Sequence, residues 1–323
     1  MSVPEALVAE PLPPPSPPPA AGTARPALGP EVDADLERRF GGLRRLYGDA
    51  GYARLRAARF AIVGLGGVGS WAAEALARSG VAELVLVDLD QVAESNVNRQ
   101  VQALTPTLGQ AKVLALAERI ALIHPGCRVH AVEEFAAEDN WPGLLPVPVD
   151  GLIDACDQVR AKEALARWSL QARVPCVVAG AAGGKRRPEA VQVADLAHVT
   201  HDPLLAALRQ RLRRAGLVPR HGAGPGAGTS PASRPKGSAS HVPDSGLTCV
   251  FSREAVALPA RAAAADGAEG GAPACEPLPV DGSLNCAGYG SSVMVTATFG
   301  MAAAGAAVSQ LLGSPGPPPV PGS

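Results

Sequence analysis

Short apolar runs alternate with amphipathic stretches through the middle of the chain. The runs are rich in β-branched residues, as buried parallel strands are, and they lie at residues 60–63, 84–87, 151–155 and 174–179, with an alternating run at 127–132. Residues 35–52 and 113–123 carry apolar side chains at helical spacing. The order of these elements predicts an α/β fold with a doubly wound, mostly parallel sheet and a Rossmann-like first half. The C-terminal half is expected to complete a substrate site.

A glycine-rich turn follows the first predicted strand. Its glycines are Gly64, Gly66, Gly67 and Gly69. Residues without a Cβ allow the backbone to turn tightly and to approach a phosphate, and a helix from about Val68 directs its N-terminal N–H groups at the anion. The turn predicts a nucleotide phosphate site.

Asp88 ends the second strand, where a carboxylate can accept hydrogen bonds from both ribose hydroxyls. This pattern does not distinguish a nicotinamide cofactor, a flavin and ATP. Asn96, Arg99 and Lys112 follow, and two cations near the phosphates suit ATP, whose pyrophosphate leaves with negative charge. The alternative is that Arg99 and Lys112 are solvated charges that flank helices.

Asp154 and Asp157 lie at the C-terminal end of strand 151–155, the end at which open α/β sheets bind ligands. Asp157 can serve that site, cap the helix that starts near Val159, or do both, and the site role is favoured because its strand belongs to the same sheet. Two basic clusters come later, Lys185–Arg186–Arg187 and the set Arg209, Arg211, Arg213 and Arg214. Such clusters are commonly solvated faces.

Composition narrows the function classes. The 323 residues are 47% hydrophobic and carry a net charge of −1, so any nucleic-acid contact needs a local basic patch. Aromatic residues make up only 3%, which argues against a base-stacking platform. Six cysteines occur without a Cys-x-x-Cys pair, which disfavours structural zinc. With no recognisable signal peptide, we expect reduced thiols and a cytoplasmic location.

Biased segments divide the chain. Residues 1–32 are rich in Pro and Ala, and a disordered tail is expected there. Residues 219–245 and 259–281 read as flexible surface inserts, and residues 313–323 as a second tail. Residues 293–312 carry no charge. A helix at a subunit interface is favoured there over a membrane span, because Ala, Gly, Thr and Ser predominate.

Several motifs occur together. The core motifs are Gly64-Leu-Gly66-Gly67-Val-Gly69, Asp88-Leu-Asp90, Ser95-Asn96-Val-Asn98-Arg99-Gln100 and Gly109-Gln110-Ala-Lys112. They resemble the adenylation core of the ubiquitin-activating, ThiF and MoeB superfamily. Further segments resemble its tRNA threonylcarbamoyladenosine dehydratase branch: Arg39-Phe40-Gly41-Gly42, Ile153-Asp154-Ala-Cys-Asp157, Asp202-Pro203-Leu204, Cys249-Val250-Phe251-Ser252 and Met294-Val-Thr-Ala-Thr-Phe299-Gly300.

The resemblance implies that residues 33–312 form one adenylation domain. It implies ATP-dependent dehydration of threonylcarbamoyladenosine in tRNA through an acyl-adenylate. The glycines, Asp88 and Asn96 would bind ATP, and Arg99 and Lys112 would stabilise pyrophosphate. Asp157 would lie near ATP and Mg²⁺, and the basic clusters would contact tRNA phosphates.

The resemblance also implies a homodimer, in which Arg39, Arg44 or Arg45 reaches a nucleotide. It leaves room for a monovalent cation, Na⁺ or K⁺, and for cysteine-desulfurase or sulfur-relay partners. Cys249 is either a nucleophile that takes the acyl group as a thioester or a small core residue.

Three other functions share these residues. An adenylyltransferase for a ubiquitin-like sulfur carrier would use the same ATP residues, but it lacks support from zinc-type cysteine pairs. An NAD-dependent oxidoreductase would leave Arg99 and Lys112 without a role. A non-catalytic tRNA- or protein-binding scaffold would not need the full nucleotide set.

Overall fold

The sheet of this protein has seven strands in the computed structural model, which describes residues 35–219, 244–257 and 289–313. The strands are β1 (Arg59–Val63), β2 (Glu83–Val87), β3 (Arg128–Val132), β4 (Gly151–Asp154), β5 (Cys176–Ala179), β6 (Val191–Asp195) and β7 (Thr248–Ser252). Their order is β3-β2-β1-β4-β5-β7-β6, and only β6, among the described strands, runs antiparallel to its neighbour. The predicted doubly wound, mostly parallel sheet is confirmed.

Helices cover both faces of the sheet. They are α1 (Leu36–Phe40), α2 (Gly42–Ala57), α3 (Gly69–Arg78), α4 (Lys112–Ile123), α5 (Val159–Ala172), α6 (Pro203–Arg214) and α7 (Val293–Leu312). Apolar side chains of α3, α4 and α7 form one core with the sheet, and those of α5 and α6 form the other. The chain therefore changes faces between β1 and β4, the point at which α/β sheets open a crevice.

The structure differs from the sequence predictions at two places. The helix expected over residues 35–52 is two helices, separated at Gly41, and the second one continues to Ala57 with an interruption at Gly48 (φ +70°). Strand β6 was not predicted, because its side chains are only partly buried and its pairing partner β7 lies more than fifty residues away in the chain. Helix α4 confirms the pattern over residues 113–123.

Helix α7 explains the uncharged segment. Its small residues allow a close approach to α3: a Cβ on Gly300 would lie 2.5 Å from the Val68 carbonyl oxygen and 2.8 Å from Trp71 Cβ. The helix has the length and mean hydropathy (1.4) of a membrane span, but half of that segment is buried within this fold. The segment is accordingly a core helix with one outward face.

The predicted tails and inserts lie almost entirely outside the described residues, as do Cys275 and Cys286. All of the described residues belong to one compact unit.

Candidate functional site

A cleft of about 270 Å³ opens at the C-terminal ends of β1, β2 and β4. The glycine-rich turn and residues 155–158, after β4, both line it. Residues 180–182, after β5, line it as well, together with Leu204 and Thr296. The cleft thus lies at the switch point of the sheet, as expected for a ligand site in this fold.

The four glycines have different roles. Gly64 adopts φ +88°, and a Cβ there would lie 2.8 Å from the Ala155 carbonyl oxygen. A Cβ on Gly69 would lie 1.8 Å from the Gly64 carbonyl oxygen, and one on Gly67 3.0 Å from Thr296 Cγ2. A Cβ on Gly66 would meet nothing within 4 Å. The close packing of the turn therefore requires glycine at positions 64, 67 and 69, whereas Gly66 borders open space.

Asp88 is buried at the edge of the cleft and organises the surrounding backbone. Its carboxylate accepts hydrogen bonds from the N–H groups of Leu65 (2.6 Å) and Asp90 (2.8 Å). Lys112 Nζ lies 3.8 Å from Asp88 Oδ1 and 2.6 Å from Asp90 Oδ2. Burial raises the pKa of Asp88, and the Lys112 charge is the strongest opposing influence. Lys112 thus keeps a buried carboxylate ionisable and carries positive charge into the cleft.

Asn96 and Arg99 line the same cleft. Asn96 Oδ1 accepts a hydrogen bond from the Ala93 N–H (3.0 Å), which fixes the turn that carries both residues. Arg99 Nη1 donates to Ser95 O (2.6 Å) and Asn98 Oδ1 (3.0 Å). No carboxylate pairs with this guanidinium within the part of the chain that the structure describes. Its charge is therefore free to meet an anion.

Asp157 is exposed and lines the cleft. The interpretation of Asp157 as a helix cap is wrong, because the N-cap of α5 is Gln158 and makes no side-chain capping bond. Among the described residues, no three His, Cys, Asp or Glu side chains cluster to hold a metal ion. Asp157 could contribute one oxygen ligand, as suits Mg²⁺ that is bound mainly through phosphates.

Cys249 lies away from the cleft. Its side chain is fully buried on β7 and packs in the core beneath α5 and α6. Burial raises the pKa of the Cys249 thiol well above its ordinary value, which disfavours the thiolate. The structure therefore supports the interpretation of Cys249 as a core residue and not as a nucleophile.

The basic clusters are less available than the sequence suggested. Lys185 is buried, and its Nζ donates to Ser252 O (2.9 Å) and Glu254 O (3.2 Å). Arg209 Nη1 donates to Leu196 O and Val199 O, and Arg211 pairs with Glu163. The expectation of phosphate contacts from Lys185, Arg209 and Arg211 is corrected accordingly. The arginines of these two clusters that remain exposed are Arg186, Arg214 and Arg187, which pairs with Glu189 (2.8 Å) at the surface.

The N-terminal arginines also differ from one another. Arg39 Nη1 donates to Ile123 O (2.7 Å) and docks α1 on the end of α4. Arg44 pairs with Glu37 (2.8 Å) and Asp49 (2.7 Å). Arg45 is exposed. Of the three candidate arginines, Arg45 takes part in none of these contacts.

The sequence did not indicate the roles of Phe135, which lines the cleft, and Asp202, which supports it. Phe135 is 53% exposed at the mouth of the cleft, three residues after β3. Asp202 caps α6 through the Leu205 N–H (3.0 Å) and also accepts from the Ala181 N–H (2.9 Å), so it anchors the loop after β5. The Asp-Pro start of α6 is a recognisable cap signal, but its contact with Ala181 spans 21 residues and needs the fold.

Comparison with known proteins agrees with this geometry. The ThiF family model matches residues 39–318. The chain is similar to the tRNA threonylcarbamoyladenosine dehydratase of Escherichia coli K12, with 39% identity over 276 residues that cover 85% of this chain and 94% of that protein. It is also similar to the protein of that name from Haemophilus influenzae, with 35% identity over 279 residues that cover 86% and 95%.

A solved structure gives the same picture. The crystal structure of the E. coli tRNA N6-threonylcarbamoyladenosine dehydratase in complex with ATP matches with a TM-score of 0.68 and 37% identity. The match covers 87% of this chain and 97% of that one. The similarity therefore extends over most of this chain and nearly all of the solved one.

Proposed function

The chain belongs to the ThiF family and, within it, to the tRNA threonylcarbamoyladenosine dehydratases, and on this premise we propose that it dehydrates threonylcarbamoyladenosine in tRNA at the expense of ATP. The observation that carries the proposal is the cleft itself. It joins a glycine-rich turn, a buried Asp88 carboxylate and the cations Arg99 and Lys112 at one switch point. An ATP-activating site needs these groups together, because it must both hold a nucleotide and stabilise departing pyrophosphate.

The reaction follows from the placement of these groups. The triphosphate lies over Gly66, where the structure leaves open space, and the ribose lies against Asp88. A threonyl carboxylate oxygen attacks the α-phosphorus, and the bond to pyrophosphate breaks. Arg99 and Lys112 stabilise the charge that develops on the leaving group.

The mixed anhydride then closes within the same nucleoside. An internal nucleophile attacks the activated carbonyl carbon, its proton is lost and AMP leaves. The modified nucleoside has lost one water, and ATP has become AMP and pyrophosphate. Because Cys249 is buried away from the cleft, we propose direct closure without a thioester.

Asp157 is our proposed ligand for Mg²⁺. The support is that Asp157 is an exposed carboxylate residue that lines the same cleft as the glycine-rich turn. When bound, the ion would neutralise phosphate charge, with most of its remaining ligands from phosphates and water. No described residue favours a particular site for Na⁺ or K⁺.

We propose Arg186, Arg187 and Arg214 as contacts for tRNA phosphates, because these arginines are exposed. A reaction on tRNA would take place in the cytoplasm. A sulfur-relay partner stays a prediction that none of the described residues bears on.

A homodimer is also part of the proposal. Met294 and Met301 are exposed on the outer face of α7. Leu46 and Tyr47 are exposed on α2, which packs against α7. A second copy of the chain would cover these apolar side chains, and the exposed Arg45 on the same helix is then the candidate for reaching a neighbouring nucleotide.

Product analysis tests the proposed function. Purified protein is incubated with ATP, Mg²⁺ and tRNA that carries threonylcarbamoyladenosine, and the digested nucleosides are weighed by mass spectrometry. We expect an ATP-dependent loss of one water from the modified nucleoside, with AMP as the second product. No mass change, with AMP formed only after addition of a ubiquitin-like protein, would favour the sulfur-carrier adenylyltransferase. Tight binding of NADH would favour the oxidoreductase.

The variant Cys249→Ala separates the two routes of closure in the same assay. We expect this variant to retain dehydration, since the thiol that it removes is buried in the core and does not line the cleft. Release of pyrophosphate with accumulation of the acyl-adenylate, and with neither AMP nor cyclised product, in this variant would restore the thioester route.

Phe135 offers a second prediction. Since β1, β2 and β3 are successive neighbours in the sheet, a nucleotide with its phosphates at β1 and its ribose at β2 has its adenine beside β3. Phe135 is the exposed aromatic residue there. Loss of one base–aromatic stack costs about 1–3 kcal/mol, so Phe135→Ala is expected to raise KM for ATP about tenfold and leave kcat nearly unchanged. Steady-state kinetics at varied ATP checks this. Phe135→Tyr keeps the ring and should keep the KM; a normal KM in Phe135→Ala would place the adenine elsewhere.

A further inference from the structure

A buried ion pair lies directly behind the cleft wall. Lys162 of α5 and Asp154 at the end of β4 are both fully buried, with Lys162 Nζ 3.1 Å from Asp154 Oδ1 and 3.4 Å from Asp154 O. Bringing two charges out of water is costly, and an apolar pair of similar size often stabilises a core equally well or better. Asp154 Oδ2 also has no hydrogen-bond partner among the described groups. Stability alone is therefore a poor explanation for this pair.

The pair instead fixes a turn of the backbone. Asp154 Oδ1, which Lys162 holds, accepts a hydrogen bond from the Cys156 N–H (3.1 Å). The Ala155 N–H donates to Val63 O (2.8 Å), and the Ala155 carbonyl packs against Gly64 so closely that a Cβ there would clash. The orientation of residues 154–156 therefore sets how the wall after β4 meets the glycine-rich turn.

The same turn delivers the next residues to the site. Asp157 and Gln158 follow directly and line the cleft. We propose that Lys162 is a positioning residue that acts through Asp154 to hold residues 155–158 across the triphosphate site in the geometry needed for adenylation. This inference rests on the proposed function, and it assigns the pair a role in the reaction rather than in folding.

The position of the pair predicts which kinetic constant it controls. The adenosine end of ATP lies on the β2 and β3 side of the cleft, whereas residues 155–158 lie on the β4 side, beside the phosphates. A displaced wall therefore leaves most ground-state contacts of the nucleotide intact. Misplacement by about 1 Å at a reacting centre can cost about 100-fold in rate, so kcat is expected to fall while KM for ATP changes little.

The test replaces the pair with apolar residues, in Asp154→Leu/Lys162→Met. We expect a folded protein with a melting temperature close to that of the wild type and a kcat about 100-fold lower. Asp154→Asn keeps an acceptor for the Cys156 N–H and for Lys162 Nζ, and we expect it to recover most of the lost kcat. Its melting temperature is expected to fall, because the buried Lys162 charge then lacks a carboxylate. The matched control is Glu74→Leu/Arg119→Met, which removes an ion pair between buried Glu74 of α3 and partly exposed Arg119 of α4, outside the cleft, and should keep kcat.

Amide hydrogen exchange provides a readout without catalysis. In Asp154→Leu/Lys162→Met we expect faster exchange at residues 155–158 and 64–69, with no such change in the control. Wild-type kcat or unchanged exchange in this variant overturns the inference, and so does an Asp154→Asn variant that is equally impaired. If the apolar variant does not fold, Asp154→Ala/Lys162→Met, which also removes the acceptor for the Cys156 N–H, is measured against the same outcomes. A wild-type protein that leaves threonylcarbamoyladenosine unchanged overturns the proposed function, while the exchange result still decides the role of the pair.

Discussion

Replacement of Lys112 by methionine is expected to lower kcat/KM for ATP about 1000-fold. Lys112 brings a buried positive charge into the cleft and lies within 4 Å of both Asp88 and Asp90. Loss of one preorganised group that stabilises developing charge costs about 10²–10³ in rate, or about 3–4 kcal/mol. We place this variant at the upper end, because Lys112 also supports the carboxylate that holds the ribose.

The pH profile of Lys112→Met carries a second signature. Burial already raises the pKa of Asp88, and the Lys112 charge is the strongest influence in the opposite direction. Without that charge the pKa of Asp88 rises further, so the carboxylate stays protonated up to a higher pH and cannot accept hydrogen bonds from the ribose. The acid limb of kcat/KM for ATP is therefore expected to move to higher pH.

Arg128→Met is the control for Lys112→Met. Arg128 is an exposed residue of β3. It pairs with Glu83 of β2 (3.3 Å) and does not line the cleft. Its removal should leave both the rate and the pH profile unchanged, since an exposed ion pair contributes little. A Lys112→Met enzyme with wild-type kcat/KM would show that Lys112 only pairs with Asp90.

Local patterns predict the nucleotide half of the site well. The glycine-rich turn, Asp88 and the polar segment that ends at Lys112 lie within about fifty residues of chain, and each sits on or beside an element that its own periodicity identifies. The parallel sheet then brings these elements to one edge, because consecutive strands β1 and β2 are also neighbours in space. For these residues the sequence order nearly coincides with the spatial order.

Prediction fails where a residue's environment is made by distant parts of the chain. Cys249 and Lys185 each belong to motifs that suggest chemistry, yet β7 inserts between β5 and β6 and buries both of them. The Lys162–Asp154 pair is equally hidden in the sequence, because Lys162 reads as an ordinary charge near the start of a helix. The burial of a side chain depends on which distant segments of the chain pack against it, and the hydrophobic periodicity of a single element carries no information about those segments.

Two variants of the glycine-rich turn, Gly69→Ala and Gly66→Ala, distinguish its contribution to folding from its contribution to ATP binding. Gly69→Ala would place a Cβ 1.8 Å from the Gly64 carbonyl oxygen, a backbone atom that cannot move without opening the turn. We expect a loss of about 4 kcal/mol in the free energy of unfolding, and a melting temperature lower by about 10 °C. ATP binding should be lost with it, because α3 begins at Gly69 and its N–H groups then point away from the phosphates.

Gly66→Ala is the matched variant. The added Cβ meets no protein atom within 4 Å, so the melting temperature should stay at the wild-type value. The methyl group nevertheless enters the space above the turn, and we expect ATP affinity to fall at least tenfold, measured by calorimetric titration. Unchanged affinity in Gly66→Ala would move the triphosphate away from this turn and leave the fold assignment intact. A Gly69→Ala protein as stable as the wild type would show that the turn can relax, and the closing role of Gly69 would have to be abandoned.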